Sequence, residues 1–570
     1  MTCKEATLRT TKLLPILLLL LSSTAAALPE DVRLSWTQAD TSTTMTITWN
    51  SAQEGDPSVV LYGIDAVEEN TVHGNVKSFD GTLGAIHEVD IDGLEPSTTY
   101  MYKVGGEGQW SSVYKFTTGP VDGCQPWSFA ALGDNRPDAD WLPPMRWSPI
   151  LEETAGREPA FILHTGDIVK DGEDVNQWVD FLEHSDPVLA EIPMMASIGN
   201  HDNGPGQGDT AYYNRLFSFP TNTQNNTEDY FFIEYGNAIF VALSTQTFGG
   251  GETPMADQAA WLDQVLTDHP KKWKFVYLHH PPYTSHRSFN LIFTEFDFNH
   301  PSNEKGQNPA LVPIFDKHHV DIVFAGHNHY YERIGPLRYG TQPDDGIEAA
   351  DYSDGTLYII TGGGGALVYD EFNIPVLDFD IDLVDWVCGT ATGSVMCKGD
   401  HHYVLINIQD GTLHYEVWAT EQQTADNSPD NKKLIDSLII TKPDSPECQV
   451  VVEPSPELQP EPMPDVVTPD VVAEIVEVIP SQPDVPTELV PGDTEGKEGG
   501  NATEVQTSED ALPTADNTGS DALPTTEKKG NGGCSSSPDS SPMSPWQSGA
   551  LLLIFLAGLA LLSCRRKTLK

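Results

Sequence analysis

Five short clusters of polar residues lie in the middle of the chain, and each follows a run of apolar, β-prone residues. Their candidate ligand side chains are, in chain order, Asp, Asp, Asn and three His. Oxygen and imidazole donors without thiolates suit Zn, Mn or Fe, so the pattern predicts two such cations held side by side. The clusters are Gly133-Asp134, Gly166-Asp167, Gly199-Asn200-His201-Asp202, Val276-Tyr277-Leu278-His279 and Gly326-His327-Asn328-His329.

Two neighbouring cations favour one kind of chemistry. They lower the pKa of a shared water, so that hydroxide forms near neutral pH, and they clamp phosphate oxygens during attack on phosphorus. One Gly-Asp pair or one His is weak evidence, because a lone His is more often structural. Five clusters in this order are not expected by chance, and they predict a phosphoesterase.

Each cluster lies at or just past the end of a predicted strand, where open α/β sheets build their sites. Trp127–Leu132, Phe161–Leu163 and Val320–Ala325 are apolar almost throughout, which predicts buried strands. Residues 257–268 place apolar side chains on one helical face. These alternating elements predict an α/β domain over residues 124–442.

The preceding residues, 28–119, are organised differently. Short stretches of alternating apolar and polar residues are separated by turn residues, which predicts an antiparallel all-β sandwich. This stretch contains no cluster of titratable side chains, so we interpret it as a supporting or adhesive module.

The clusters resemble those of the calcineurin-like metallophosphoesterases, and of the purple acid phosphatases in particular. Members of that group carry a fibronectin III-like sandwich before the catalytic domain. The resemblance spans roughly Pro29 to Thr441, and its most specific string is Gly326 to Arg333. It implies a four-layer α/β domain with two sheets between helices, and a centre of two divalent or trivalent ions (Fe, Zn or Mn).

The resemblance also implies roles by position. Asp134 and His329 are assigned to one cation, Asn200, His279 and His327 to the other, and Asp167 bridges both. A catalytic pair follows from the third cluster: His201 protonates the leaving oxygen or stabilises charge on it, and Asp202 orients its neighbours.

The chain departs from the family pattern at two positions. Lys170 stands where purple acid phosphatases have a Tyr ligand, and Arg136 stands where some relatives have a His ligand. The first cation position is therefore short of protein ligands, and a purple colour is not expected. Arg136 is a candidate to grip a phosphate oxygen, with a surface ion pair as the alternative. His286 is a candidate substrate contact in the loop after the fourth cluster, whereas His280 is interpreted as structural.

The ends of the chain predict export and anchoring. Residues 1–27 have the features of a signal peptide, and 443–545 form an acidic, Pro-rich stretch expected to be a disordered stalk. An apolar span at 546–564 is followed by a basic cytoplasmic tail at 565–570.

The C-terminal tail resembles the sorting tails of myxobacterial surface proteins, which implies processing by a sorting protease near Cys534. An ordinary single-pass anchor is the alternative, and both leave the enzyme outside the cytoplasm. Seven cysteines fit an exported protein. Cys388 with Cys397, and Cys124 with Cys448, are the expected pairs.

A net charge of −53 disfavours nucleic acid and anionic membrane surfaces as partners. The sequence therefore predicts a secreted, surface-tethered, dinuclear-metal phosphoesterase that acts on small phosphomonoesters. Two alternatives stay open: a phosphodiesterase acting on nucleotides or lipid head groups, and a catalytically inactive surface binding or adhesion protein. The sequence makes no prediction of the oligomeric state.

Overall fold

The structure is a computed structural model. The predicted signal peptide, the C-terminal span, Cys534 and His286 lie outside the residues that it describes. Those residues are 28–106, 108–137, 146–202, 211–222, 227–245, 255–285, 307–340, 346–368, 373–374, 379–380, 389, 391–420 and 433–448.

The N-terminal part is a sandwich of two antiparallel sheets, as the alternating pattern predicts. One sheet has the order β1-β2-β6-β5, and the other has the order β4-β3-β7-β8 with β9 beside β7. Its core holds the fully buried rings of Trp36, Trp49 and Tyr102. The strands are β1 (Glu30–Ser35), β2 (Met45–Ser51), β3 (Val59–Gly63), β4 (Asn70–His73), β5 (Asn75–Asp80), β6 (Gly84–Ile91), β7 (Thr99–Gly106), β8 (Gln109–Trp110) and β9 (Tyr114–Thr117).

The C-terminal part contains two larger sheets. One has the order β12-β11-β10-β23-β24-β25. The other has the order β13-β14-β15-β16-β19-β17-β18, with β22 beside β17. The strands are β10 (Trp127–Leu132), β11 (Ile162–His164), β12 (Met194–Ala196), β13 (Phe231–Tyr235), β14 (Ala238–Ala242), β15 (Trp273–Leu278), β16 (Ile322–Ala325), β17 (Tyr331–Arg338), β18 (Ile347–Glu348), β19 (Thr356–Thr361), β20 (Asn373–Ile374), β21 (Phe379–Asp380), β22 (Ser394–Lys398), β23 (His402–Gln409), β24 (Thr412–Ala419) and β25 (Lys433–Thr441).

Helices cover the outer faces of these two sheets. They are α1 (Trp147–Ala155), α2 (Val175–Glu183), α3 (Tyr212–Leu216), α4 (Met255–Asp268) and α5 (Gln307–His318). Trp147 of α1 packs against His164 of β11 and against Phe181 of α2. On the other side, buried residues of α4 and α5 form one cluster with those of β15 and β16.

The two sheets pack face to face through aromatic rings. Phe129 of β10 lies 4.9 Å from Phe240, 5.1 Å from Phe275 and 6.2 Å from Phe324 between ring centroids, and these three rings belong to the facing sheet. This dry layer explains why β10, β15 and β16 are apolar on both faces. The predicted fold class, an all-β sandwich followed by a four-layer α/β domain, is confirmed.

The N-terminal sandwich is joined tightly to the α/β part. Trp36 packs edge-on against Phe161 at 5.8 Å. The Arg33 Nε–H donates to the Leu216 carbonyl at 2.8 Å, and the Tyr102 hydroxyl donates to the Ala190 carbonyl at 2.6 Å. Because these contacts are buried, the sandwich is a rigid support for β11 and β12.

The folded region ends later than the sequence indicates. The expected disulfide between Cys124 and Cys448 is present. Ser445 donates through its backbone N–H and hydroxyl to Asp410. Residues 443–448, assigned above to the stalk, therefore lie against the α/β domain. Cys397 is also disulfide-bonded, while its expected partner Cys388 lies outside the described residues.

Two elements of the structure can be compared with the residue limits that the sequence predicts. The helix predicted over 257–268 is observed as α4, which begins two residues earlier at Met255. The α/β domain is predicted to end at residue 442, and its last strand, β25, ends at Thr441. Within the described residues, no helix combines the length and the apolar character needed to cross a bilayer.

Candidate active site

The five clusters converge because of the strand order. β10, β11 and β12 are parallel neighbours in one sheet, and β15 and β16 are parallel neighbours in the facing sheet. Each cluster follows the carboxyl end of its strand, and the two sheets stack on each other. All six predicted ligands are thereby brought to one edge of the two stacked sheets, as the pattern predicts.

Backbone strain is concentrated at three of these ligands. Asp134, Asp167 and His327 have φ angles of 59°, 58° and 68°, in the left-handed region that non-glycine residues rarely adopt. Each follows a glycine that lets the clusters approach closely. A Cβ on Gly199 would lie 2.1 Å from the Asp167 nitrogen, and a Cβ on Gly326 would lie 2.2 Å from Asp134 Oδ2.

One group of donors surrounds Asn200. Its Oδ1 lies 2.9 Å from His279 Nε2 and 2.9 Å from His327 Nδ1. His279 Nε2 is also 3.3 Å from Asp167 Oδ1. An amide oxygen, a carboxylate oxygen and two ring nitrogens therefore face a common point, which is the arrangement expected around a bound cation.

The ring tautomers support this interpretation. His279 Nδ1 lies 2.9 Å from the Thr165 carbonyl, and His329 Nδ1 lies 2.9 Å from the Leu367 carbonyl. A carbonyl oxygen only accepts, so both Nδ1 atoms carry a proton. In a neutral ring, Nε2 then directs its lone pair at the other donors, as in metal sites where a second hydrogen bond orients the histidine.

The electrostatics around His279 favour positive charge at this point. Burial disfavours the charged ring, but the Asp167 carboxylate outweighs burial and raises the pKa of His279 to about 9. Burial likewise opposes ionisation of Asp167, yet His279 and His201 hold the pKa of Asp167 well below its usual range. The residues present therefore fit a cation.

The second group of donors contains Asp134, Asp167 and His329, whose ligand atoms lie within 4.8 Å of one another. His329 Nε2 is 3.5 Å from Asp134 Oδ1. Both Asp134 oxygens also accept the His327 backbone N–H, at 3.0 and 2.9 Å. Asp167 therefore lies between the two donor groups, in the position expected of a bridging ligand.

Arg136 lies inside this second group. Its Nε is 3.4 Å from Asp167 Oδ2, and its Nη2 is 3.4 Å from His329 Nε2. The side chain is only 17% exposed. The alternative of a surface ion pair does not fit this position, because both partners are candidate metal ligands.

His201 and Asp202 occupy different kinds of position. His201 donates from Nδ1 to the Lys170 carbonyl at 2.7 Å, and its Nε2 lies 3.9 Å from Asp167 Oδ2. The imidazole is 32% exposed, so it faces both the ligands and solvent. Burial lowers the pKa of His201, although Asp167 opposes this shift.

Asp202 is fully buried and its oxygens are occupied by the backbone. Oδ2 accepts from the Asp167 and Gly199 N–H groups at 2.9 and 2.8 Å. Oδ1 accepts from the Ile168 and Val169 N–H groups at 2.8 and 3.2 Å. Burial and the neighbouring Asp167 carboxylate raise the pKa of Asp202 to about 7, whereas the four N–H donors favour its ionised form. Asp202 is a positioning residue that fixes the Asp167 turn.

Two features of the site did not stand out in the sequence. His280, interpreted above as structural, places its ring 4.3 Å from the His327 ring and groups with His279 and His327 as a candidate ligand. The adjacent His-His pair was the available signal. Gly364 donates to the Gly133 carbonyl at 2.8 Å, so the glycine run after β19 lies against the Asp134 turn.

Three further polar residues make structural contacts. His402 is buried, with Nε2 3.2 Å from Thr361 Oγ1, and His401 is buried next to it. Lys170 contributes its carbonyl to His201 and its N–H to Gln177.

Comparison with known proteins identifies both folded parts. Residues 29–118 match the purple acid phosphatase N-terminal domain, and residues 146–331 match the calcineurin-like phosphoesterase domain. Acid phosphatase type 7 of Mus musculus is 26% identical, over 73% of this chain and 91% of its own. Phosphoenolpyruvate phosphatase of Allium cepa is 26% identical, over 56% of this chain and 66% of its own.

Solved structures agree with the fold. A purple acid phosphatase from yellow lupin (Lupinus luteus) seeds superimposes with a TM-score of 0.54 at 21% identity, covering 73% of this chain and 74% of its own. PhoD superimposes with a TM-score of 0.52 at 12% identity, covering 73% of this chain and 90% of its own. The two domain matches and the curated relatives, together with the converging ligands, show that the chain is a metal-dependent phosphoric ester hydrolase with a calcineurin-like phosphoesterase domain, and that its relatives are purple acid phosphatases.

Proposed function

We propose that this chain is an exported, surface-tethered phosphoesterase that hydrolyses small phosphomonoesters at a dinuclear metal centre. The observation that carries the proposal is the placement of Asp167 between two donor groups. One group holds Asn200, His279 and His327, and the other holds Asp134 and His329. Two cations bound there would supply an activated water and neutralise charge on the phosphate.

The protein side chains have separate tasks in this proposal. Asp202 holds the Asp167 turn, and the carbonyls of Thr165 and Leu367 hold two ligand rings at fixed angles. His201, with Nδ1 bonded to a carbonyl, presents Nε2 to the substrate, and in its imidazolium form it gives the Nε2 proton to the leaving oxygen. Arg136 is positioned to bind a non-bridging oxygen of the phosphate group, which is not bonded to the leaving group.

The preference for monoesters is supported by the names of two relatives, Acid phosphatase type 7 and Phosphoenolpyruvate phosphatase. The proposed location rests on the N-terminal apolar segment, the acidic stalk and the apolar span before the basic tail. Protease treatment of intact cells tests this location, since an enzyme tethered outside would be released in active form.

The direct test of function compares the hydrolysis of p-nitrophenyl phosphate with that of bis-p-nitrophenyl phosphate by the full-length chain. Metal content is determined on the same sample. We expect about two metal ions per chain and the faster reaction with the monoester. Faster diester hydrolysis would make the protein a phosphodiesterase. Bound metal without turnover on either ester would indicate an inactive binding protein.

A change of His201 to Ala tests the proton donor. We expect kcat for phenyl phosphate to fall by about 10²- to 10⁴-fold, because phenolate is a poor leaving group that needs a proton. The decrease for p-nitrophenyl phosphate should be much smaller, since its leaving group is stable as an anion. Equal losses for the two substrates would show that His201 does not donate the proton. His184→Ala, which changes a histidine at the end of α2, is the control and should leave both rates unchanged.

A further inference from the structure

The Arg136 guanidinium occupies the donor atoms that the proposed function gives to one of the two cations. Its Nη2 meets His329 Nε2 and its Nε meets Asp167 Oδ2, each at 3.4 Å. His329 donates its Nδ1 proton to the Leu367 carbonyl, so the atom facing the guanidinium is the lone pair that would bind a metal. A guanidinium has no lone pair to share with a metal, so it competes with a cation for these atoms.

The other donor group has a different environment. Asn200 Oδ1 lies 2.9 Å from both His279 Nε2 and His327 Nδ1. The Arg136 contacts fall instead on Asp167 Oδ2 and His329 Nε2. A cation that binds to Asn200, His279 and His327 displaces at most a proton from a ligand side chain. The two positions therefore differ in what a cation must displace, which is a proton at one and an arginine side chain at the other.

We propose that Arg136 makes the metal centre fill in two unequal steps. The position of Asn200, His279 and His327 binds its cation first and tightly. The position of Asp134 and His329 binds weakly, because the guanidinium must leave Asp167 and His329 before a second cation enters. This inference rests on the proposed function, since it concerns the loading of the same centre.

Electrostatics sets the direction of the effect. Two positive charges a few ångströms apart repel strongly where burial reduces screening, and the Arg136 side chain is only 17% exposed. Moving the guanidinium away from Asp167 and His329, towards solvent, relieves that repulsion. A phosphate bound there would pair with the guanidinium and keep it away from Asp167 and His329.

Phosphate and the second cation should consequently support each other's binding. By linkage, if phosphate holds the guanidinium outward, it raises the affinity of the weak position, and the second cation raises the affinity for phosphate by the same factor. Arg136 thus couples substrate binding to completion of the metal centre. An enzyme of this kind is fully loaded only when substrate is present.

The experiment is a titration of the metal-free, full-length chain with Zn²⁺ by equilibrium dialysis, with and without inorganic phosphate. We expect two dissociation constants that differ by about a hundredfold. In Arg136→Gln, the weaker constant should tighten by at least about tenfold, while the tighter one changes by less than about threefold. Phosphate should tighten the weak constant of the unmodified chain and have little effect in Arg136→Gln.

The matched control is Arg157→Gln, which removes an arginine that lies 4.0 Å from the Trp418 ring centroid, outside the donor groups. Both constants should stay unchanged in this variant. Two equal dissociation constants in the unmodified chain would overturn this inference, and so would a weak constant that responds neither to phosphate nor to Arg136→Gln. If two metals bind and esters are hydrolysed in the same experiment, these results leave the proposed function intact. Failure of any chain to bind Zn²⁺ would overturn the proposed function as well.

Discussion

Replacing Asp167 with Asn is expected to lower kcat/KM for a phosphomonoester by about a thousandfold or more, which corresponds to about 4 kcal/mol of transition-state stabilisation. Asp167 lies between the donor groups, with Oδ1 near His279 and Oδ2 near Arg136. An amide keeps one acceptor oxygen, but it loses the negative charge and places an NH2 group where the second oxygen would bind a cation. We expect the metal content to fall from about two ions per chain to one or fewer.

The fold should survive this change. The Asp167 carboxylate is buried and receives the His201 N–H at 3.0 Å, a hydrogen bond that the Asn oxygen preserves. Metal analysis and thermal unfolding on the same preparation separate loss of metal from loss of structure. Asp171→Asn is the control, because this carboxylate four residues later is exposed and accepts the N–H of nearby Glu173. Near-normal turnover in Asp167→Asn would contradict the bridging role.

Much of the architecture could be predicted from the sequence because its signals are local. The strand at Trp127–Leu132 has the predicted bounds, since an uninterrupted apolar run ends at a glycine. The ligand clusters could be located because polar residues directly after buried strands have few structural reasons to be there. The order of the strands within the sheets then determines which clusters meet, and that information came from the family resemblance.

The features that escaped prediction depend on distant contacts. Arg136 has two sequence interpretations, and only the position of His329, far along the chain, decides between them. Asp202 is predicted to orient its neighbours, but only the folded chain shows that these are four backbone N–H groups from two separate clusters. His280 gains its significance from the ring of His327, which lies in the loop after β16.

A second prediction concerns the strand that follows the last metal ligand. Asn328 and Tyr330, which precede β17, and Glu332 of β17 all lie near the loop after His279. Asn328 donates to Thr284 Oγ1 at 2.8 Å, and Thr284 Oγ1 lies 2.6 Å from the Tyr330 hydroxyl. Two polar side chains before β17 therefore contact a single residue of this loop.

Glu332 is the strongest of these attachments. Its buried carboxylate accepts the Ser285 N–H at 2.9 Å, the Ser285 hydroxyl at 2.5 Å and the Ser394 hydroxyl at 2.6 Å. Burial raises the pKa of Glu332, and the hydrogen bonds from Ser285 and Ser394 oppose this rise. The carboxylate therefore ties the loop after His279 to β22.

Glu332→Ala should lower the free energy of unfolding by about 3 kcal/mol, because it leaves buried donors without an acceptor. It should also raise KM for a phosphomonoester by about tenfold or more, because Ser285 belongs to the loop after His279 and directly precedes His286, the candidate substrate contact. The metal content should stay unchanged, because Ser285 is not a ligand. Chemical denaturation, steady-state kinetics and metal analysis measure the three quantities. Ser394→Ala removes one of the three bonds and should cost only about 1 kcal/mol, with little change in KM. An unchanged KM in Glu332→Ala would show that the Glu332 hydrogen bonds support the fold without positioning the loop after His279 for substrate. A loss of metal would show that these hydrogen bonds act through His279 instead.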